Sequence, residues 1–454
     1  MPFQSLLSAI ETLKGKIDSL KKQPSGVSDR LLQLSQDVDA IPLISWLASQ
    51  QTYPRIYWQG RDKVEEVAAI GQCLGFYFEQ DVSDQQLAAV YQRQRQLSDN
   101  PQFRYYGGLA FDRSLKSWPE FGQARFVLPR VELRRSAEHF SLKLNINLDA
   151  ANLENELAEA LQCLQQIKPA RPLMPPHKLA LRSRHDLPTF ERWQSLVTQV
   201  TAPDFNQATP KVVLSRITQL DIHGQADPWM VLACWQGRNP NSFQFGFQFS
   251  PEHAFISCSP ERLFRRRQRE LFTEALAGTT LRGLSDEEDE VLARALLDDD
   301  KNKYENQLVR EHIVDMLNPL SHYVGADELP RVFKLTHIQH LHRAIRAELK
   351  GEINDFDLLQ ALHPTPAVGG LPRQAAMSFI RDQEGYHRGW YAGACGYFNS
   401  LESEFAVAIR SALFEPNRIN LFAGAGIVAG SDPHAEWQEL ENKLATIISI
   451  LIDF

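Results

Sequence analysis

Apolar and polar residues alternate at every second position in several stretches of the chain. The run 139–148 and the phenylalanine-rich run 243–249 show this alternation most regularly, and each predicts a strand with one buried face. Shorter runs are also typical of strands: 55–58, 125–133, 211–216 and 331–350, the last either as strand throughout or as strand and loop. Near the carboxyl end, three further strands are expected to form an antiparallel meander: 390–398, 405–414 and 419–423.

Helical spacing separates these strands. Leu440, Leu444, Ile447 and Leu451 follow one another at the intervals of a single helix face. Ser431 or Asp432 is suited to cap that helix and Pro433 fits its first turn, so a helix is predicted to begin near His434. The same reasoning predicts helices at 6–20, 153–164, 190–200, 227–235, 355–362 and 373–383, and a long one from the acidic run at 285 through Glu305 towards Leu317.

The composition is that of a globular protein with a sizeable core. The 454 residues are 43% hydrophobic and carry a net charge of −8, which argues against nucleic acid or an anionic membrane as a partner. The arginine-rich run 265–269 lacks interleaved aromatic residues and is expected to be a solvated turn. Five scattered cysteines without a CxxC pair indicate a reduced, cytoplasmic protein, and no apolar run reaches membrane-spanning length.

One proline-rich segment marks a candidate boundary. Residues 168–178 hold four prolines and cannot sustain a helix. They divide an N-terminal α/β region, 1–170, from a second region, 178–454, and we expect the two to form one integrated fold.

The stretch from 421 to 443 combines a glycine-rich strand end with a charged helix. Glycine at 424 and 426 removes side chains that would keep a ligand from the backbone, and free N–H groups there favour an anion. Glu436, Glu439 and Lys443 share one helix face, and taken alone they fit a solvated helix edge.

Four further residues suit acid, base or anion chemistry. Lys211 has apolar neighbours, so burial would lower its pKa towards that of a base, although an edge-strand lysine in water fits as well. Glu261 follows a Ser-Pro turn and is either a protonated acid or an ordinary turn carboxylate. Arg410 lies among small apolar residues and, if buried, needs a carboxylate or another anion. His340 by itself fits a core histidine.

Carboxylates on separate helices suggest a metal site. Glu305 is either the i,i+4 partner of Lys301 or, together with Glu439 and a substrate carboxylate, part of an oxygen-rich magnesium shell. Glu274 is an additional acidic candidate.

Ten short motifs occur together in a characteristic order: KVVLSR, SPERLF, TEALAGTT, KNKYEN, IQHL, HPTPAVGGLP, WYAGACGY, VAIRSA, AGAGIV and SDPHAEWQELENK. In this order they resemble the chorismate-utilising enzymes, the family of anthranilate, aminodeoxychorismate, salicylate and isochorismate synthases, over residues 185–450. The segment ISWLASQQTYPRIYWQGRD resembles the isochorismate synthases of menaquinone biosynthesis. The resemblance implies an α+β (mixed α/β) fold in which large antiparallel sheets pack face to face with helices outside.

The resemblance also implies roles for individual residues. Lys211 is similar to the general base and Glu261 to the general acid. Glu305 and Glu439 are similar to the ligands of Mg²⁺, with Glu436 in the adjoining water shell. Tyr391, Arg410 and the backbone of Gly424 and Gly426 are expected to hold the enolpyruvyl carboxylate of chorismate, and the other residues expected to line the pocket are Gly278, Thr279, His340, Ala367 and Lys443.

Two alanines bear on which member of the family this is. Ala277 stands where aminodeoxychorismate synthases carry a lysine proposed to attack the ring. Ala367 stands where enzymes that eliminate pyruvate tend to carry threonine. We therefore expect a magnesium-dependent isomerase that stops at isochorismate and feeds menaquinone biosynthesis, a monomer or weak dimer without a glutamine amidotransferase subunit. A salicylate synthase and a catalytically silent chorismate-binding regulator are the alternatives.

Overall fold

Helices occur along the whole chain, and most begin at a side-chain cap. The computed structural model describes residues 5–22, 31–80, 82–97, 100–148, 152–173, 178–336 and 338–452. Its helices are α1 Leu6–Lys22, α2 Leu43–Ala48, α3 Asp84–Leu97, α4 Leu153–Gln166, α5 Phe190–Thr201, α6 Pro203–Ala208, α7 Pro228–Arg238, α8 Asp286–Asp298, α9 Asp300–Leu317, α10 Asp355–Leu362, α11 Arg373–Gln383 and α12 Pro433–Leu451. A short 3₁₀ turn, Asn318–Leu320, follows α9. Within the described residues no helix is long and apolar enough to cross a membrane.

The strands pair antiparallel throughout the described chain. They are β1 Leu31–Asp37, β2 Arg55–Gln59, β3 Glu65–Phe78, β4 Tyr105–Leu109, β5 Ala124–Ser136, β6 His139–Asn147, β7 Ala180–Leu187, β8 Lys211–His223, β9 Phe243–Gln248, β10 Ala254–Ser259, β11 Arg262–Arg267, β12 Glu270–Leu281, β13 Ser321–Ala326, β14 Arg331–Lys334, β15 Ile338–Leu349, β16 Gly370–Leu371, β17 Ala394–Phe398, β18 Glu402–Val407, β19 Ser411–Glu415 and β20 Arg418–Ile427.

Two arms of sheet share strand β5. One arm runs from β7 and β8 through β20, β19, β10, β9, β2 and β3 to β5, and β6 and β1 continue it. The other arm runs from β5 through β4, β17, β18, β11 and β12 to β15. Trp58 of β2 meets Tyr397 of β17 edge-on at 5.9 Å between ring centroids, so the two arms face each other across aromatic side chains, as expected.

Strands β2 and β4 carry the sheet across the predicted boundary. β2 pairs with β9 and β4 pairs with β17, so residues before and after the proline-rich segment belong to the same sheets. The division into 1–170 and 178–454 stays a prediction, and residues 174–177 of the segment 168–178 lie outside the described residues.

The predicted helix from 285 to 317 is in fact two helices. Asp299 has extended backbone angles, and its carboxylate accepts a hydrogen bond from Asn302 N at 2.7 Å. This cap ends α8 and begins α9, because an aspartate at that position satisfies a free N–H of a new helix start. At the carboxyl end Asp432 caps α12 by accepting from Ala435 N at 2.9 Å.

Of the two strands that were expected to be half-buried, β9 is covered on both faces and β6 only in part. In β9 the polar Gln244 is as fully buried as Phe245, because the strand lies between β2 and β10 with packed layers above and below. In β6 Ser141 and Asn145 are buried along with Leu142, Leu144 and Ile146. Alternation alone cannot distinguish a wet face from one covered by a second layer.

The expected carboxyl-terminal meander is two separate hairpins. β17 pairs with β18 and β19 with β20, but β18 continues to β11 and β19 to β10. The chain crosses from one arm to the other at residues 408–410, and Arg410 has φ +48°. Arg410 therefore lies in a strand break rather than in a strand.

Candidate active site

A single cavity between the two arms gathers the predicted site residues. Strand β20, helices α9 and α12, the β12–β15 pair and the loop before β16 form its walls. The predicted residues that line it are Glu261, Gly278, Thr279, Glu305, His340, Ala367, Tyr391, Arg410, Gly424, Gly426, Glu436, Glu439 and Lys443. Lys211 does not line it, and instead lies directly behind Glu305.

Lys211 begins β8 and is completely buried. This excludes the edge-strand alternative. Its Nζ lies 2.9 Å from Glu305 Oε1, so Glu305 pairs across the cavity wall with Lys211 and not along its own helix with Lys301. Gly426 makes the approach possible, because a Cβ there would lie 2.4 Å from Glu305 Oε1 and 3.1 Å from Lys211 Cε.

Gly424 leaves room for the hydroxyl of Tyr391. A Cβ on Gly424 would lie 2.7 Å from Tyr391 Oη, and the Tyr391 ring is held by stacking on Phe422 at 5.0 Å between centroids. The carbonyl oxygen of Gly424 accepts a hydrogen bond from Lys443 Nζ at 2.8 Å. The two glycines thus admit neighbouring side chains, a role that the sequence did not reveal, and β20 presents a backbone oxygen here.

Glu261 is suited to donate a proton near neutral pH. It lies between β10 and β11 with 4% of its surface exposed. Burial, reinforced by the nearby charge of Glu274, raises its pKa to about 8, although Lys211 and Lys443 oppose the shift. The carboxyl is therefore protonated over the range in which an ordinary glutamate is ionised.

Glu274 does not serve as a second acid. Burial alone would raise its pKa, but Arg61 and His342 hold the pKa well below the usual range. The carboxylate is 2.7 Å from Arg61 Nη2 and 3.1 Å from His342 Nε2. Glu274 is thus a fixed negative charge beside the cavity.

Arg410 is a half-buried cation at the cavity wall. Burial lowers its pKa to about 10, opposed by the charge of Glu439, and among the described residues no carboxylate forms an ion pair with it. Its Nη1 reaches only the carbonyl of Lys443 at 3.5 Å. A half-buried guanidinium without an ion-pair partner among the described residues favours an incoming carboxylate.

His340 is a neutral polar group beside that cation. Its Nδ1 is 2.9 Å from the Thr279 hydroxyl. Burial, with the charges of Arg410 and Lys443, holds its pKa well below the usual value. Its Nε2 has no hydrogen-bond partner among the described residues. It is therefore not the fully satisfied core histidine of the alternative interpretation.

Lysines neutralise the carboxylates of α12. Lys301 Nζ lies 2.9 Å from Glu436 Oε1, and Lys443 Nζ lies 2.5 Å from Glu439 Oε1. Burial and the charge of Glu439 raise the pKa of Glu436. Glu436 is 4% exposed, so the solvated-edge interpretation of this helix face is wrong. In the part of the chain that the structure describes, no group of three or more His, Cys, Asp or Glu residues is arranged as a metal cluster.

Two polar cavity residues were missed as site residues. Lys301 and Asn302 line the cavity from the first turn of α9. Asn302 Oδ1 accepts from Thr279 N at 3.2 Å, where a bulge in β12 gives Gly278 a φ of +81°. Their position one turn before Glu305 is the signal that would have found them.

The chain belongs to the chorismate-binding enzymes, whose family model matches residues 17–452. It is 36% identical to isochorismate synthase MenF of Escherichia coli over 99% of each chain. It is also 36% identical to the salicylate biosynthesis isochorismate synthase of Pseudomonas aeruginosa, over 76% of this chain and 73% of that one. The solved structure of MenF, the menaquinone-specific isochorismate synthase of E. coli, superposes with a TM-score of 0.88 at 34% identity, covering 99% of this chain and all of that one.

Proposed function

We propose that this enzyme is an isochorismate synthase, an isomerase that converts chorismate to isochorismate. The observation that carries the proposal is a cavity with the buried carboxyl of Glu261 in its wall and the buried amine of Lys211 directly behind Glu305, at 2.9 Å from Glu305 Oε1. Acid and base groups with these properties suit a reaction that must activate water and expel hydroxide. The full-length similarity to isochorismate synthases supports it.

The reaction exchanges one oxygen for another across the ring. Lys211, as the proposed base, takes a proton from water while the water oxygen bonds to C2. The ring double bonds shift, and the C4–O bond breaks. Glu261 gives its proton to the departing hydroxyl, which leaves as water. Hydroxide is a poor leaving group, so this proton is required, and in the reverse direction the two residues exchange roles.

Arg410 is proposed to bind the enolpyruvyl carboxylate. Its lack of an ion-pair partner among the described residues supports the role, with the Tyr391 hydroxyl and the backbone of Gly424 and Gly426 at the same wall. Neutral His340 carries no positive charge that would draw the carboxylate away from Arg410. The remaining lining residues proposed to contact substrate are Gly278, Thr279, Ala367 and Lys443.

Glu305 and Glu439 are proposed to hold Mg²⁺, with Glu436 nearby. Hard carboxylate oxygens in one cavity suit that ion, which commonly takes one or two protein carboxylates and keeps water in its other positions. Bound there, it would offset the charge of the substrate's ring carboxylate. Each carboxylate is paired with a lysine in the structure, so these lysines are the groups that a cation must replace.

The finer assignments rest on the same similarity. We propose that the product feeds menaquinone biosynthesis, as the name of the E. coli relative indicates for that protein. A monomer or weak dimer in the cytoplasm that works without an amidotransferase subunit stays a prediction.

The first test is product identification with purified protein. The protein is incubated with chorismate and magnesium, with and without ammonium. The products are separated by chromatography and their masses are measured by mass spectrometry. A product of unchanged mass and altered retention, insensitive to ammonium, is expected. Salicylate with pyruvate would instead indicate a salicylate synthase, and binding without turnover a silent regulator.

Variants then test the individual roles. Lys211→Ala and Glu261→Gln should each lower turnover by roughly 10²-fold or more, the scale of losing a general base or acid. Near-normal turnover in either variant refutes its assigned role. Glu439→Gln should raise the magnesium concentration needed for half-maximal rate, and an unchanged titration refutes the ligand assignment.

A further inference from the structure

Arg61 connects the N-terminal third of the chain to the proposed catalytic acid. It lies between β2 and β3, and its Nη1 donates to the carbonyl of Pro260 at 2.7 Å. The same guanidinium makes a two-pronged contact with Glu274, with both nitrogen–oxygen distances at 2.7 Å. Glu274 Oε1 in turn accepts from the backbone N–H of Arg262 at 2.9 Å.

These contacts hold the residues on both sides of Glu261. The carbonyl before it is fixed by Arg61 and the N–H after it by Glu274, and the ion pair joins the two anchors. We propose that Arg61 and Glu274 form a positioning pair that sets both the orientation and the electrostatic surroundings of the Glu261 carboxyl. The inference rests on the proposed function, since it assigns this pair to the acid of that reaction.

The charges around the pair make its two members act differently. Glu274 is a permanent negative charge that disfavours ionisation of Glu261, whereas Arg61 mainly holds geometry and keeps Glu274 ionised. The groups that face Glu261 are Glu274 from β12, Lys211 from β8, Lys443 from α12 and the loop residue Thr365. Those that face the pair are His342 from β15, together with Glu404 and Asp62 near Arg61.

Two variants separate charge from geometry. Glu274→Gln removes the negative charge, so the Glu261 carboxyl should ionise at lower pH, by about one unit. The alkaline limb of the profile of turnover against pH should shift to lower pH by the same amount. Arg61→Lys keeps the positive charge but cannot reach Pro260 and both carboxylate oxygens at once. It should lower kcat about tenfold, with KM and the position of the limb nearly unchanged.

A second ion pair, in the same N-terminal region but away from the cavity, provides the matched control. Arg130 and Glu156 form another buried two-pronged ion pair, and neither residue lines the cavity. Arg130→Lys and Glu156→Gln should lower thermal stability without moving the limb or kcat. If Glu274→Gln is too unstable to purify, a kcat loss in Arg61→Lys that Arg130→Lys lacks still supports the proposal, and equal behaviour overturns it.

Infrared difference spectroscopy distinguishes failure of this inference from failure of the proposed function. The carbonyl stretch of the Glu261 carboxyl is titrated with Glu261→Gln as the blank, so the measurement needs no turnover. A lower ionisation pH in Glu274→Gln supports the pair even if chorismate is not the substrate. An unchanged ionisation pH overturns it, even in an active isochorismate synthase.

Discussion

Replacing Gly426 by alanine tests how closely the cavity wall is built. The added Cβ would lie 2.4 Å from Glu305 Oε1, whereas ordinary contact begins at 3.4 Å. The carboxylate must therefore retreat by about 1 Å, and its ion pair with Lys211 must lengthen or reorient. Displacements of this size in a catalytic site cost on the order of 10²-fold in rate, or about 2.7 kcal/mol of transition-state stabilisation.

The assay is steady-state conversion of chorismate at saturating magnesium, followed by a magnesium titration. Gly426→Ala should lower kcat by about 10²-fold and raise the magnesium concentration needed for half-maximal rate, because the proposed base and a proposed magnesium ligand are both disturbed. Gly237→Ala, in α7, is the control: apart from its own helix backbone and chain neighbours, no atom of the described residues lies within 4 Å of its added Cβ. That substitution should leave turnover intact and stabilise the helix by roughly 0.5–1 kcal/mol. A Gly426→Ala enzyme within twofold of wild type would show that Glu305 and Lys211 tolerate displacement, and would refute the reasoning.

Three further predictions follow from neighbouring contacts. Gly424→Ala should lower kcat/KM about tenfold, because its Cβ would meet Tyr391 Oη at 2.7 Å; adding Tyr391→Phe should recover part of the loss, and a double variant no better than the single one contradicts the steric argument. The pKa of glutamate in an unfolded chain is about 4.3, whereas burial raises the pKa of Glu261 in the folded protein to about 8. The stability that this carboxyl gives the wild type is therefore complete below the lower pKa and is lost as pH rises through the higher one. Glu261→Gln cannot ionise, and its melting temperature relative to wild type should therefore be higher at about pH 8.5 than at about pH 5 in thermal melts, whereas a pH-independent difference counts against the raised pKa. Ala367→Thr places a hydroxyl on the cavity wall and should release pyruvate from chorismate in a lactate dehydrogenase-coupled assay; absence of pyruvate argues that this position does not control elimination.

Local sequence patterns predicted the bounds of those helices whose start and end depend only on neighbouring residues in the chain. The α10 and α11 ranges were predicted to the residue, and the start of α12 was set by Asp432 and Pro433. The split at Asp299 was missed because a run of three aspartates offers several equivalent caps, and the choice depends on where α9 packs against β12.

The sequence by itself determined the family, the helix and strand types and most of the polar and charged residues around the cavity, because motif spacing and side-chain chemistry are properties of the chain. Only the tertiary structure showed that Lys211 faces Glu305 behind the wall, that the two glycines make room for Glu305 and Tyr391, and that Arg61 reaches Pro260 from nearly 200 positions away. These relations join segments far apart in sequence, and the apolar pattern of a strand does not state which strand or side chain will lie opposite it. The raised pKa of Glu261 also depends on the tertiary structure, since Glu261 becomes buried close to the charge of Glu274 only once the two arms of the sheet have come together.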